Sequence, residues 1–269
     1  MKKFIFSALV VGLWSCEEVI DINLNDADAR LVIEGHITNT DGPFTVSISQ
    51  TTDFFGAEGT QPVDVQQVTL TTSEGQQEEL MRVGEGTYQT VDLSGVPRET
   101  YTLTVQHEGV GVTTSSTMPV PIEIERLQYV FDEREFNPAG EAGYEVSCVF
   151  NDPEGEENFY RLVIYLNGER LDDNGFYLYD DKFADGNQVS YTFFDQRFDV
   201  GDTVKIELRS LDEQTYRYYE QLNELVGNGG PGGGSAAPGN PTSVYNTGAL
   251  GVFAAYSRNT LEFSIIIEE

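Results

Sequence analysis

Positive charge is what this chain lacks most. Its 269 residues include 15 Lys or Arg against 45 Asp or Glu, a formal net charge of -30. That balance excludes non-specific binding to nucleic acid or anionic lipid heads through a basic patch. Histidine is nearly as scarce. His36 and His107 are the two in the chain, both in segments that alternate like strands. An ordinary zinc site needs three or four clustered His, Cys or carboxylate ligands, and two isolated histidines do not supply it. No Gly-x-Ser-x-Gly elbow marks a serine hydrolase. Carboxylate pairs suited to glycoside hydrolysis arise by chance in so acidic a chain and therefore carry no information. The inventory points away from an enzyme.

Cysteine and long apolar runs are also missing, and what remains of each is informative. One apolar run, Phe4 to Leu13, follows the basic pair Lys2-Lys3 and ends at Leu13-Trp14-Ser15-Cys16. It has the length of a secretory h-region and falls short of the roughly 20 residues of a membrane helix. A small residue followed at once by Cys looks like a bacterial lipobox, although Trp14 stands where smaller side chains are usual. Residues 1–15 therefore read as a lipoprotein signal peptide and Cys16 as the lipidated N-terminus, with that lipid as the only membrane attachment. Cys148 then has no disulfide partner. It lies in Tyr144-Glu145-Val146-Ser147-Cys148-Val149-Phe150, where alternation places it on the apolar face of a strand as a buried thiol.

Residues 16–29 are acidic and polar, a tether between lipid and fold. Glu17 and Glu18, directly behind the Cys, resemble the signal that sends Bacteroidota lipoproteins to the outer face of the outer membrane. The expected location is the outer membrane facing the cell exterior, with the periplasmic face left open.

Chains this acidic are often disordered, but 16 Phe and 14 Tyr can fill cores. From Leu31 to Met118 short period-two segments alternate with turn residues. Phe44, Val46 and Ile48 alternate with Thr45 and Ser47, and Tyr101, Leu103 and Val105 with Thr102 and Thr104. Six or seven such strands in under about a hundred residues predict a β-sandwich over 30–118. Pro119 and Pro121 stiffen a connector, and 119–269 reads as a second β-rich domain. Its expected strands are Tyr144 to Phe150, Phe159 to Leu166, Val189 to Phe194, Thr203 to Leu208, Leu250 to Tyr256 and Leu261 to Ile267. It also holds one helix, Asp212 to Val226, with Tyr218, Leu222, Leu225 and Val226 on the apolar stripe. The Gly-rich loop 227–240 follows. It lacks the Lys-Ser or Lys-Thr pair and the preceding strand of a phosphate-binding loop.

Several stretches carry a family resemblance. They are the lipobox, Leu31-Val32-Ile33-Glu34-Gly35-His36-Ile37-Thr38 with Gly42-Pro43 behind it, and Pro62-Val63 with Val68-Thr69-Leu70. Gly86-Thr87-Tyr88 with Tyr101-Thr102-Leu103 and Asn151-Asp152-Pro153 with Asn158-Phe159-Tyr160-Arg161 continue the order. Asn240-Pro241 leading to Gly248-Ala249-Leu250-Gly251-Val252-Phe253 closes it. Together they resemble the Bacteroidota lipoproteins of domain-of-unknown-function family 4249. The resemblance implies an N-terminal immunoglobulin-like or transthyretin-like sandwich and an accessory role beside a TonB-dependent outer-membrane transporter. It implies no catalytic residue.

Two sets of residues are candidates for binding. Acidic turns at Asn151 to Asn158, Asp172-Asp173-Asn174 and Asp180 to Asn187 offer oxygen donors of the kind calcium takes. Asp152, Glu154, Glu156, Asp180, Asp181 and Asp185 are the candidate ligands, against the plainer reading of solvated turns. Calcium is the one cofactor considered. Aromatics are dense at Phe176 to Tyr179, Tyr191 to Phe194 and Tyr216 to Tyr219. On the helix, Tyr216 or Tyr219 is expected to face out beside the glycine loop, and Tyr216, Tyr219 and Asn228 are the candidate contacts to a ligand or partner. The expected function is that of a non-enzymatic accessory or ligand-capturing protein. The alternative is a calcium-stabilised surface adhesion or structural module with no transport partner.

Overall fold

A computed structural model describes residues 29–52, 59–134, 141–171, 175–227 and 239–266. Cys16, Asn228, the cluster at 172–174 and most of the glycine loop lie outside them. The strands of the first half are β1 (Leu31–Thr38), β2 (Thr45–Thr51), β3 (Thr60–Pro62), β4 (Gln67–Thr72), β5 (Gln77–Glu79), β6 (Met81–Gly84), β7 (Thr87–Gln89), β8 (Thr100–His107) and β9 (Val110–Thr117). Those of the second are β10 (Ile124–Asp132), β11 (Gly143–Asn151), β12 (Phe159–Leu166), β13 (Glu169–Arg170), β14 (Tyr177–Asp180), β15 (Gln188–Thr192) and β16 (Thr203–Leu211). The helix α1 (Glu213–Gly227) and the strand β17 (Phe253–Ser264) complete the described elements. The protein is mainly β, with one helix among the described residues, as its alternating pattern predicts.

One ten-stranded sheet runs through both halves in the order β13-β12-β16-β17-β1-β2-β7-β6, with β14 beside β12 and β3 beside β2. A four-stranded sheet, β5-β4-β8-β9, covers one end of it and a three-stranded sheet, β10-β11-β15, covers the other. Alternation decides what each layer buries. Ile33, Val46, Ile48, Leu70, Leu103 and Val105 fill the first core. Val146, Cys148, Phe150, Tyr160, Leu162 and Ile206 fill the second. Cys148 is the buried thiol the alternation requires, and desolvation pushes its pKa up to about 12.

The final strand joins the two lobes. β17 lies parallel to β1, pairing Gly35 with Phe253 and Thr38 with Tyr256, and antiparallel to β16. Phe253 and Ala255 belong to the first core, whereas Leu261 and Phe263 pack against the second. The chain after Pro121 is thus not confined to the second lobe, because its last strand completes the first. Gly251 makes this entry possible. It sits at φ 88°, and a Cβ there would stand 2.3 Å from the Ile33 carbonyl oxygen.

Two expectations change here. Where two strands were expected, Leu250 to Tyr256 and Leu261 to Ile267, one strand runs over Phe253–Ser264; Leu250 makes only an isolated bridge to Val32, and Ile267 lies outside the described residues. The polar run Ser257 to Thr260 looks like a turn in sequence, but it lies where β17 passes from one lobe to the other. Asn39 pairs with the Arg258 backbone there, and Asn259 accepts from the Ile124 N–H at 3.0 Å. The strand β10 is the second change. Its alternation is blurred by Glu125-Arg126 and by a bulge between Ile124 and Arg126.

Candidate functional site

The acidic turns of the second lobe converge. Asp152 opens the turn that leaves β11, and Asp181 and Asp185 lie in the turn between β14 and β15. One carboxylate oxygen from each of the three lies within 4.8 Å of the others. Backbone hydrogen bonds fix the two turns together: Asp152 N–H donates to the Asn187 carbonyl at 3.0 Å and Asp181 N–H to the Asn158 carbonyl at 3.2 Å. Ala184 and Asn187 N–H close the second turn on itself. Gly186 adopts φ 71° within it, and a Cβ there would meet Glu154 at 2.9 Å.

Asp152 and Asp181 are 5 % and 4 % exposed. Their positions are determined by donors. Asp152 accepts from the Tyr160 hydroxyl at 2.5 Å and from Gly186 N–H at 3.2 Å. Asp181 accepts from Asn158 N–H at 2.9 Å, and Asp185 from Gly155 N–H at 2.7 Å. Burial raises the pKa of Asp152, against the lowering effect of these hydrogen bonds, and the charges of Asp181 and Asp185 raise it further. Desolvation also lifts the Tyr160 phenol far above its ordinary range, so that it stays a donor. Three carboxylates this close repel one another, and a hard divalent cation relieves that repulsion by taking oxygen ligands.

The remaining expected ligands lie beside the three-carboxylate cluster, not in it. Glu154 and Glu156 are exposed, and Asp180 is half-buried at the end of β14. Asp180 and Glu156 line a cavity of about 450 Å³ together with Asp181 and Asp185 of the cluster and with Glu157, Glu213, Lys182 and Arg217. Sequence proximity suggested all six, but strand alternation turns Asp180 away from Asp181.

The helix corrects the aromatic expectation. Asp212 is its N-cap, accepting from Thr215 N–H at 2.8 Å, and its other oxygen holds the Ser116 hydroxyl at 2.6 Å. This ties the start of α1 to β9. Tyr216 does not face out. It is 5 % exposed and packs on Phe159 with ring centroids 5.0 Å apart. Tyr218 and Leu222, expected to carry the buried stripe, are only half-buried. The N-terminal half of the helix is pressed onto Phe159, Leu211 and Tyr256, which moves the buried stripe to Thr215 and Tyr216. Tyr219 is half-buried and lines a separate cavity on the outer face of the large sheet. Two ionic networks had no sequence signal at all. Arg197, whose side chain is 2 % exposed, bridges Asp132 at 2.7 Å and Glu145 at 2.8 Å. Buried Glu207 joins Arg209 and Arg258. Arg197 comes from the loop after β15 to reach β10 and β11, and Arg258 of β17 reaches Glu207 of β16.

These features define a mainly β protein in which two small sheets cap a shared large one, with an acidic cluster between two turns. The family model described as Domain of unknown function (DUF4249) matches residues 17–262. The chain belongs to that family. No curated protein matches it. Among the described residues, no helix is long and apolar enough to cross a membrane.

Proposed function

We propose that this is a non-enzymatic, lipid-anchored protein of the outer membrane that serves a TonB-dependent transporter as an accessory or ligand-capturing partner. The observation that carries the reading is the order Lys2-Lys3, Phe4 to Leu13, Ser15-Cys16, Glu17-Glu18 at the head of a DUF4249 chain. That order is the leader and first acidic residues of an exported lipoprotein. A lipid anchor confines both partners to one membrane and raises their effective concentration, so a small interface suffices. The test is affinity purification of the full chain from detergent-solubilised outer membrane. A β-barrel transporter that co-purifies with the parent, and is lost on Cys16→Ala, supports the reading. A Cys16 that carries no lipid by mass spectrometry, or recovery without any barrel partner, overturns it.

The cluster of Asp152, Asp181 and Asp185 favours a second reading, a surface module stabilised by calcium with no transport partner. Binding to the folded state alone raises stability by roughly 2.7 kcal/mol at a hundredfold excess over Kd. A melting temperature that rises in calcium but not in magnesium, in a protein that recovers no barrel, favours this module. An unchanged melting temperature in calcium removes it.

A further inference from the structure

A cavity of about 680 Å³ opens where the two lobes meet. Arg98 and the end of β9 line it from the first lobe, and the turn 153–158 and the end of β16 line it from the second. The connector lines it between them, at Pro119, Val120 and Ile122.

Charge is divided between its walls. Arg98 is the one cation that lines it, and its side chain has no ion pair or hydrogen bond among the described residues. The Arg98 backbone is held, with φ 72° and its N–H donating to the Met118 carbonyl at 2.7 Å. That conformation is uncommon outside glycine, and it sets the direction in which the side chain leaves the turn. The second-lobe wall carries Glu154, Glu156 and Glu157, all exposed. Their carboxylates have no cation within ion-pairing distance among the described residues. The two signs line the same space without meeting.

Between the walls the surface is largely apolar. Pro119 and Ile122 are half-buried, and Val120 is 39 % exposed. Ser210 is a polar exception. It lines the cavity and is 4 % exposed, and its hydroxyl has no hydrogen-bond partner. A buried hydroxyl without a partner is costly, and most such groups in folded proteins are satisfied. A ligand that fits these walls carries a negative group, a positive group, an apolar body and a hydrogen-bonding group along its length.

We propose that this cleft binds a short peptide with free ends. Its terminal carboxylate pairs with the Arg98 guanidinium, whose planar fork matches that group. Its terminal ammonium pairs with the glutamates of the facing wall. Its side chains lie on the connector, and one of its amide groups supplies the partner that Ser210 lacks. The volume suits a peptide of about two or three residues. The inference names a ligand class for the capturing role proposed above but rests on this cavity alone, so it stands if no barrel partner is recovered.

The test is calorimetric titration of the full chain in detergent with the tripeptide Ala-Leu-Ala, in calcium-free buffer. Salt is kept at about 0.15 M, which screens long-range attraction to the acidic surface. One saturable site per chain is expected. Acetylating the amine or amidating the carboxylate should each weaken binding at least about tenfold, the loss of one charge-assisted contact. Arg98→Gln should weaken the free peptide by a similar factor and bind the amidated one as the parent does. The triple variant Glu154→Gln/Glu156→Gln/Glu157→Gln should show the same pattern with the acetylated peptide. Ser210→Ala should bind less tightly yet melt no lower than the parent, because the hydroxyl it removes has no partner in the free protein. Arg126→Gln, on β10, should bind like the parent. Melting curves within a few degrees of the parent establish that the variants fold. No saturable binding of the free peptide up to about 10 mM, equal binding of the amidated and free peptides, or parent-like binding by folded Arg98→Gln overturns the proposal.

Discussion

The two lobes share a sheet but bury different chemistry. Strands of the first lobe bury Ile, Val, Leu and Thr, and Glu99 is the one charged residue buried there among the described residues. It is satisfied by the Ser73 hydroxyl at 2.7 Å and Glu74 N–H at 2.9 Å in an adjoining turn. The second lobe and the outer face of its half of the sheet bury Asp132, Asp152, Arg161, Asp181 and Glu207. Burying charge is costly, and a core of apolar residues does the structural task as well or better. The first lobe is therefore the economical way to build a sandwich. In the second lobe carboxylates gather at one point and guanidinium groups at another.

The comparison breaks most readily through the cores. Phe253→Ala empties a side chain 1 % exposed in the first core. It should cost about 3–5 kcal/mol. Because β17 completes both lobes, urea unfolding should remain a single transition shifted as a whole. Two separate transitions would show that the lobes unfold independently. Arg197→Met in the second lobe should cost less, about 1–3 kcal/mol, because it removes the buried cation while Arg134 still pairs with Asp132 at 2.7 Å and lies 3.9 Å from Glu145. A denaturation midpoint close to that of the parent would show that this network is held by solvent.

Acid should act next. Arg134, with Arg197, holds the Asp132 carboxyl well below the usual carboxylate range. A depressed pKa contributes stability above the unfolded value, and this is lost as pH falls through the folded value. Asp152 has the opposite shift, so its ionisation costs stability that protonation restores. Between neutral pH and the carboxylate range, Asp152→Asn should thus flatten the stability profile, and Asp132→Asn should flatten it below that range. Profiles identical to the parent for both variants would remove the assignment. The smallest effect concerns Cys148, whose buried thiol should stay unmodified by a maleimide in the native state and react only after unfolding.

How much was legible follows from the range of the interactions. The strands Phe159–Leu166 and Gly143–Asn151 were readable because their alternation is local, and Cys148 came with them. The helix was readable from its period, but the stripe on Tyr218 was not the buried one. Its true face depends on Phe159 and Tyr256, which lie far away in sequence. Half of the candidate carboxylates converge because two turns are tied by backbone hydrogen bonds that composition does not specify. The arginine row had no local signal whatever. Arg161, Arg209 and Arg258 are each unremarkable in sequence, and strand register alone brings them abreast.

Hydrogen exchange over the full chain, with and without calcium and with and without the free tripeptide, tests most directly the claim that ligand chemistry belongs to the second lobe and its boundary with the first. Slowed exchange in 152–160 and 181–187 with calcium, and in 117–122, 154–159 and 210–213 around the cleft with the peptide, is the predicted result. The first-lobe strands β4 and β5 should be unaffected by either. Protection confined to those strands, or no change anywhere with either ligand, would contradict the account.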